Sequence, residues 1–312
     1  MGRKGPGPSH REGISLLELA NKFPDEDSAI KWFESVLWAD GRKCPRCNGS
    51  NTYATKNANG MPYRCRDCKR YFSVKTGTVL ASSKLSLQKW VWAIFLETIS
   101  LKGVSSMKLH RYLNIGQDSA WHMLHRIREG LHPEILEVFE EPVEVEESNI
   151  GGLEKNKHED KKLYAGRGTV GNSSAPGVKD RETNRIWAEV VEDTTKPTIQ
   201  GFINETWSQD APVFTDEHRS YDGSTNRTTV NHGQKQWTVS TVLGDLAHTN
   251  GIESFWATLK RAYHGTSRKH LDRYVTQFLG KRNLRDYDTV DQMAAVMKRM
   301  VGRWLGHKDL VA

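Results

Sequence analysis

The sequence predicts an α+β or α/β protein. An N-terminal four-cysteine zinc ribbon with flanking helices and a helix-turn-helix is followed by a mixed sheet covered by helices. Three observations carry this. All four cysteines fall in one pair of Cys-x-x-Cys motifs, residues 87–128 have helical periodicity broken by a Gly-containing turn, and strand-like and helix-like segments alternate after Pro142. A length of 312 residues, 37% hydrophobic and 27% charged, supports two or three compact units and excludes a disordered chain. The expected organisation is a helical segment over 1–40, the ribbon over 41–80, a helix-turn-helix region over 81–135, and the sheet domain with basic C-terminal helices over 136–312.

The first helix begins at Pro24-Asp25-Glu26-Asp27, where acids complement the helix dipole. Ala29, Ile30, Trp32, Phe33, Val36 and Leu37 then form its apolar stripe. Next, Cys44-Pro-Arg-Cys47 and Cys65-Arg-Asp-Cys68 have the separation of a zinc ribbon, in which two tight turns each present two thiolates to a tetrahedral Zn²⁺. Asn48-Gly49 and Asn59-Gly60 supply the turns of a short hairpin between them. A disulfide framework or free thiols are the alternatives, and neither suits a chain with no apolar leader. With all four thiolates used there is no open position, so the zinc is expected to be structural. Arg42, Lys43, Arg46, Arg64, Arg66, Lys69 and Arg70 form a basic rim suited to phosphates.

Ser86 caps a helix over about 87–100. A short helix is expected over Lys102–Leu113, a break at Asn114-Ile115-Gly116-Gln117, and a second helix from Asp118 to Arg128. Its expected exposed face carries Gln117, Ser119, His122 and Arg126, types that read base edges or phosphates in double-stranded DNA. An ordinary helical hairpin is the competing reading.

Beyond Pro142, Val143-Glu-Val-Glu146 alternates as a strand that turns near Gly151-Gly152. A Gly/Lys-rich loop follows over 154–171. Arg185–Val191 reads as a strand, Pro197 opens a helix with Ile199, Phe202, Ile203 and Trp207, and Ala211–Asp216 is a short buried strand. A weaker strand covers Arg227–Asn231. A helix begins near Asn250, and a last amphipathic helix covers about 289–305.

Glu146, Asp216 and Glu253 end or begin three of these elements, and carboxylates so gathered can hold two Mg²⁺ or Mn²⁺ ions for phosphodiester chemistry. Lys260 shares the helix face of Glu253 and is placed to meet a phosphate. Each acid also has a plainer reading: Asn250 and Glu253 have the spacing of a capping box, and Glu146 lies in an acidic run.

Charge follows the same division. The net charge of +7 conceals a +7 block over 41–70, a −7 block over 131–147 and a +7 block over 260–312. Basic blocks flanking an acidic one suit a polyanion contacted from more than one place. Such contact would fall on the ribbon rim in the first block and on residues such as Arg261 in the second. The longest apolar stretch, Trp90–Leu101, is too short to span a bilayer and contains Glu97, so no membrane partner and an intracellular, cytoplasmic location are expected.

Longer motifs identify a resemblance. The two cysteine pairs, Phe72-Ser-Val-Lys-Thr-Gly-Thr78, Trp121-His-Met-Leu-His-Arg-Ile-Arg128, Val143-Glu-Val-Glu-Glu-Ser-Asn-Ile-Gly-Gly152, Thr215-Asp-Glu-His218 and His248-Thr-Asn-Gly-Ile-Glu-Ser-Phe-Trp-Ala-Thr-Leu-Lys-Arg261 resemble an insertion-sequence transposase group. That group is the zinc-ribbon, ISXO-like transposases. The resemblance implies a DDE-type catalytic domain of RNase H-like fold, binding to terminal inverted repeats, a homo-oligomer on DNA, and Mg²⁺- or Mn²⁺-dependent cleavage and strand transfer in a nucleoid-associated setting. By position it makes Asp216 the second metal ligand, Glu253 or Asn250 the third, and Lys260 the basic residue. The first position departs: the group carries Asp where this chain has Glu146, a longer acid in a site sensitive to about 1 Å. Asn149 replaces an aromatic residue. Pro176 falls where an apolar strand residue is usual and suits a sheet edge or a break. Beside an active transposase, two further readings stand: a transposase-derived DNA-binding protein with an impaired site, and a zinc-ribbon transcription regulator.

Overall fold

The computed structural model describes residues 12–55, 60–133, 138–150, 159, 173–208, 210–217, 221, 226–231, 238–240, 246–263 and 268–311. These form two compact units. One comprises the residues up to His132 together with those from Leu284 onward, and the other runs from Pro133 to Asn283. The C-terminal helices were expected with the sheet domain, but they belong to the first unit.

The first unit opens with α1 (Leu16–Lys22) and α2 (Glu26–Leu37). Both begin in capping boxes, Ser15 with Glu18 and Asp25 with Ser28. The ribbon is an antiparallel sheet of β1 (Thr52–Ala54), β2 (Tyr63–Cys65) and β3 (Tyr71–Phe72). Trp38, Tyr63 and Phe72 form its small aromatic core, and the Tyr63 hydroxyl donates to Glu34 of α2. Asn59, expected in the hairpin turn, lies outside the described residues. Then come α3 (Leu87–Ile99), α4 (Ser106–Leu113) and α5 (Gln117–Leu131). Ser86 caps α3 as expected. The helix expected from Lys102 starts only at Ser106, because Gly103 turns the chain at φ +77° and Ser105 caps the helix. Asn114, in the left-handed conformation, ends α4.

The last amphipathic segment is also shorter than expected. Here α9 (Thr289–Arg299) stops before Gly302 at φ +75°, and α10 (His307–Val311) follows. Met293, Val296, Met297 and Met300 complete a core with Leu87, Trp90, Ile94, Leu109, Met123 and Ile127. These residues are why the chain end returns to the first unit: each buried aliphatic side chain contributes about 1.5–3 kcal/mol.

The second unit is a five-stranded mixed sheet. Its strands are β4 (Val143–Ile150), β5 (Ser173–Asp180), β6 (Ile186–Ala188), β7 (Val213–Thr215) and β8 (Arg227–Thr229), in the order β6-β5-β4-β7-β8. β4, β5 and β6 pair antiparallel; β4–β7 and β7–β8 pair parallel. A separate pair, β9 (Val239–Ser240) and β10 (Leu246–Ala247), precedes α7 (Asn250–Ala262) and α8 (Leu271–Asn283). Odd-numbered β4 residues Val143 and Val145 face α6 (Lys196–Thr206) through Ile199, Phe202 and Ile203. The other face meets α7 and α8 through Ile252, Phe255, Trp256 and Phe278. Pro176 lies in an inner strand, but its missing N–H falls on the side where the β6 ladder ends at Ala188, so it marks a break. Opposite Glu146, Gly177 lets α7 sit close: a Cβ there would lie 2.6 Å from the Trp256 ring.

The basic loop expected over 154–171 falls outside the described residues, apart from Glu159. Among the described residues, no helix is long and apolar enough to cross a membrane.

Candidate functional site

In the ribbon, each Cys-x-x-Cys turn closes in the same way. The Cys44 N–H donates to Gly49 O and the Cys65 N–H to Arg70 O, while Asn48 and Lys69 take positive φ just after the second cysteine. The turns bring all four Sγ atoms within 4.8 Å of one another, with Cys44–Cys68 and Cys47–Cys65 each at 3.6 Å. A tetrahedral zinc with bonds of about 2.3 Å has sulfur–sulfur edges of about 3.8 Å, so the cluster fits Zn²⁺. Burial pushes the Cys44 thiol up, but backbone N–H groups of Arg46 and Cys47 outweigh it and bring it to about 7. At Cys47 the Gly49 N–H acts downward, yet the neighbouring thiols push it up to about 12. Four thiols this close cannot all ionise without a cation among them. Four cysteines clustered in this way make a zinc ribbon.

Lys43, Arg46, Arg66, Lys69 and Arg70 of the basic rim are exposed, whereas Arg42 and Arg64 are half-buried. Arg42, Arg64 and Arg66 lie over the rings of Tyr63, Tyr71 and Tyr53 at 4.0, 5.0 and 4.8 Å. Such stacking holds guanidinium groups at low entropic cost, and Arg42 and Arg64 are fixed further by donating to Thr52 and to Lys69 O.

The helix-turn-helix corrects part of the expected contact face. Ser119 is exposed, and Gln117 is half-buried and donates to Ser106. Arg126 is buried and His122 half-buried. His122 Nε2 and Arg126 Nε both meet the Leu305 carbonyl at 3.3 Å, and Arg126 is only 7% exposed. Burial, then the Arg126 charge, holds His122 below its ordinary range. The exposed charges nearby are Lys102, Lys108 and Arg111, which the expected face did not include.

In the second unit, the register sets two acids side by side. Val143, Glu144 and Val145 pair in parallel with Val213, Phe214 and Thr215, so Glu146 and Asp216 occupy the next position on adjoining strands. Strands lie about 4.8 Å apart, and both acids point to the α7 face. Glu146 is mid-strand, since β4 runs on to Ile150; only its partner β7 ends there. Burial comes first, then the Glu253 and Asp216 charges, in pushing the Glu146 carboxyl up to about 8, and Lys260 opposes them. Its Oε2 is buried with no hydrogen-bond partner among the described residues. A crowded set of acids with an unpartnered carboxylate oxygen fits a divalent cation. Among the described residues, only the cysteines bring three or more ligand atoms within 4.8 Å of one another, so the acids form the wider arrangement.

The capping box expected at Asn250 and Glu253 is absent. The N-cap is Thr249, whose hydroxyl donates to Glu253 Oε1 at 2.7 Å, while Asn250 is exposed. The α7 N–H groups of Gly251 and Ile252 instead donate to Glu144, a buried strand residue that the sequence reading passed over. Two more residues escaped it. Arg227 donates to Thr215 Oγ1 and to the Asp216 carbonyl, fixing the turn that carries this acid. The buried Tyr221 hydroxyl donates to Glu147. Only the alternation of β4, with Glu144 on the face of Glu146, could have signalled any of them. Arg261 is exposed and its Nε donates to Ala257 O.

Both groups of residues lie in segments that resemble known families. Residues 138–283 match the ISXO2-like transposase domain, and residues 24–71 match the transposase zinc-ribbon domain. A Halobacterium salinarum protein described as an uncharacterized protein in transposable element ISH50 is 25% identical over 279 residues, covering 84% of this chain and 92% of that one. No solved structure matches.

Proposed function

Because the chain belongs to the zinc-ribbon transposases of the ISXO2-like family, we propose that it is an insertion-sequence DNA transposase that cleaves terminal inverted repeats and joins them to target DNA. The carrying observation is the set formed by Glu146, Asp216 and Glu253, with Lys260 acting on Glu146. The strand order, three antiparallel strands continued by two parallel ones, supports an RNase H-like reading of the sheet. The ribbon rim and helix-turn-helix would hold double-stranded DNA, with a homo-oligomer bringing two ends together in the cytoplasm.

Glu146, Asp216 and Glu253 would hold Mg²⁺ or Mn²⁺, with Asn250 less suited because it is exposed. Divalent cations bound there supply Lewis-acid stabilisation of the phosphorus centre and of the attacking and leaving oxygens. The residues themselves do the positioning. Thr249 orients Glu253, Arg227 fixes the Asp216 backbone, and the exposed Lys260 ammonium meets a nonbridging phosphate oxygen. Water attacks phosphorus in line and displaces the 3′-oxygen at the element end; the freed 3′-hydroxyl then attacks a target phosphodiester in line and displaces its 3′-oxygen.

A second reading has its own observation. Glu146 is one methylene longer than the Asp expected there, so the site would be impaired while DNA binding persists. The test is metal-dependent cleavage of a labelled element end by wild type, Glu146→Asp and Asp216→Ala. We expect weak cleavage by wild type, more by Glu146→Asp, and none by Asp216→Ala. Wild type no better than Asp216→Ala, with Glu146→Asp active, favours the impaired site. If no variant cleaves cognate ends, the carboxylate assignment fails.

A further inference from the structure

The unexpected cap on α7 carries an inference. Glu144 is 1% exposed, and its two carboxylate oxygens have separate partners. Oε2 accepts from the Gly251 and Ile252 N–H groups at 2.7 and 3.0 Å. Oε1 faces His248 Nδ1 at 3.3 Å, Arg181 Nε at 3.6 Å and Lys179 Nζ at 3.7 Å. Arg181 Nη2 lies 2.7 Å from His248 Nε2. Since a guanidinium can only donate, His248 Nε2 accepts, which puts the ring proton on Nδ1, close to Glu144 without a hydrogen bond to it among the described residues. Arg181 also donates to Leu246 O, just before the helix. Gly251 is required here, because a Cβ would fall 2.6 Å from Glu144 Oε2 and 2.8 Å from the Lys179 stem.

We propose that Glu144 is the positioning residue of the carboxylate site, clamping the first turn of α7 to β4 and thereby setting Glu253 against Glu146. The proposal rests on the metal-site reading above. Glu144 and Glu146 are two residues apart on one strand face, separated by about 6.7 Å along β4. The amides it holds belong to the two residues immediately before Glu253. One carboxylate therefore joins the strand bearing the first acid to the helix turn bearing another. Its charge suits a helix N-terminus, and Lys179 and Arg181 compensate for its burial. Glu144 touches neither substrate nor metal in this role. It acts through the helix.

The test uses the full chain with Glu144→Gln, which keeps length and one acceptor but removes the charge. Thr206→Val is the comparison, since it removes the buried hydroxyl that donates to Phe202 O in the same unit, away from α7. Two readouts are independent of catalysis. In metal-free protein, Glu144→Gln should speed hydrogen exchange at Gly251 and Ile252 by at least about tenfold, with α8 amides unchanged. Half-saturation by Mn²⁺, measured directly by binding, should rise roughly 10–100-fold, as for losses of outer-shell partners. Thr206→Val should leave both readouts at wild-type values. The proposal is overturned if Glu144→Gln binds Mn²⁺ like wild type, or if Thr206→Val weakens Mn²⁺ equally, which would indicate general loosening. Failure of the transposase reading looks different: wild type would bind Mn²⁺ tightly and still leave element ends uncut.

Discussion

The ribbon and the sheet each gather acidic groups at one place, and they do so in opposite ways. In the ribbon, four chemically equal ligands come from two local turns and converge within 4.8 Å. In the sheet, Glu146, Asp216 and Glu253 come from β4, the end of β7 and α7, elements up to 107 residues apart, and they remain in the wider arrangement. The ribbon surrounds its ion on all sides, which suits permanence. The acids leave room, and burial with the neighbouring charges pushes the Glu146 carboxyl up to about 8. Closure makes a structural centre; openness suits a site that substrate must enter.

The largest effect should come from breaking the closed side. Structural zinc in such peptides supplies about 10–16 kcal/mol of coupled folding and binding free energy. We expect about one zinc per chain by elemental analysis. Cys65→Ser, or removal of zinc by a strong chelator, should melt the ribbon and abolish binding to element ends. The second unit should keep its own unfolding transition, because the ribbon and its ligands lie in the first. A ribbon that retains its circular dichroism and proteolytic resistance without metal would contradict the assignment.

The next effect sharpens the open side. Because the folded Glu146 pKa, about 8, lies above the ordinary 4.5, the native state holds an extra proton between those values. Its stability relative to the unfolded chain is therefore full below about pH 4.5 and declines as pH rises through 8. Glu146→Gln cannot lose that proton. In chelator at pH 8.5 it should be more stable than wild type by on the order of 2–4 kcal/mol, with the difference vanishing near pH 4.5. Mg²⁺ should narrow the gap by stabilising wild type alone, while Glu146→Gln should cleave nothing. Chemical denaturation at several pH values checks the sign.

The same contrast explains what could be read in the chain. The ribbon was legible because Cys-x-x-Cys encodes its own turn, and helices α2, α3 and α5 were legible from apolar spacing and caps such as Asp25 and Ser86. The mixed sheet was legible as strand and helix alternation. The convergence of the acids was not, since it depends on register: Glu146 meets Asp216 only because Val145 pairs with Thr215. Glu144 was missed because one acid in an acidic run looks solvated until a helix terminus and three basic groups arrive from elsewhere in the chain. The His122 and Arg126 positions were misjudged for a similar reason. Helical periodicity placed them on an exposed face, but the carbonyl covering them belongs to Leu305, 183 and 179 residues away.

That last point yields the smallest and most discriminating prediction. Arg66 and Arg126 look alike in the sequence, each a basic residue beside a recognised motif. Arg66 is exposed on the ribbon, its guanidinium 4.8 Å above the Tyr53 ring. Arg126 is buried, burial holds its pKa below the ordinary value, and its Nε donates to Leu305 O. Arg66→Ala should reduce affinity for element ends a few-fold and lower the salt slope of binding by about 1, with unchanged melting temperature. Arg126→Ala should do the reverse, costing about 1–3 kcal/mol of stability through one lost buried hydrogen bond and lost packing, with the salt slope intact. Filter binding across a salt series, beside thermal melts, reads both. If Arg126→Ala lowers the slope as Arg66→Ala does, the chain end must leave α5 when DNA binds, and the face expected from helical periodicity is the contact face after all.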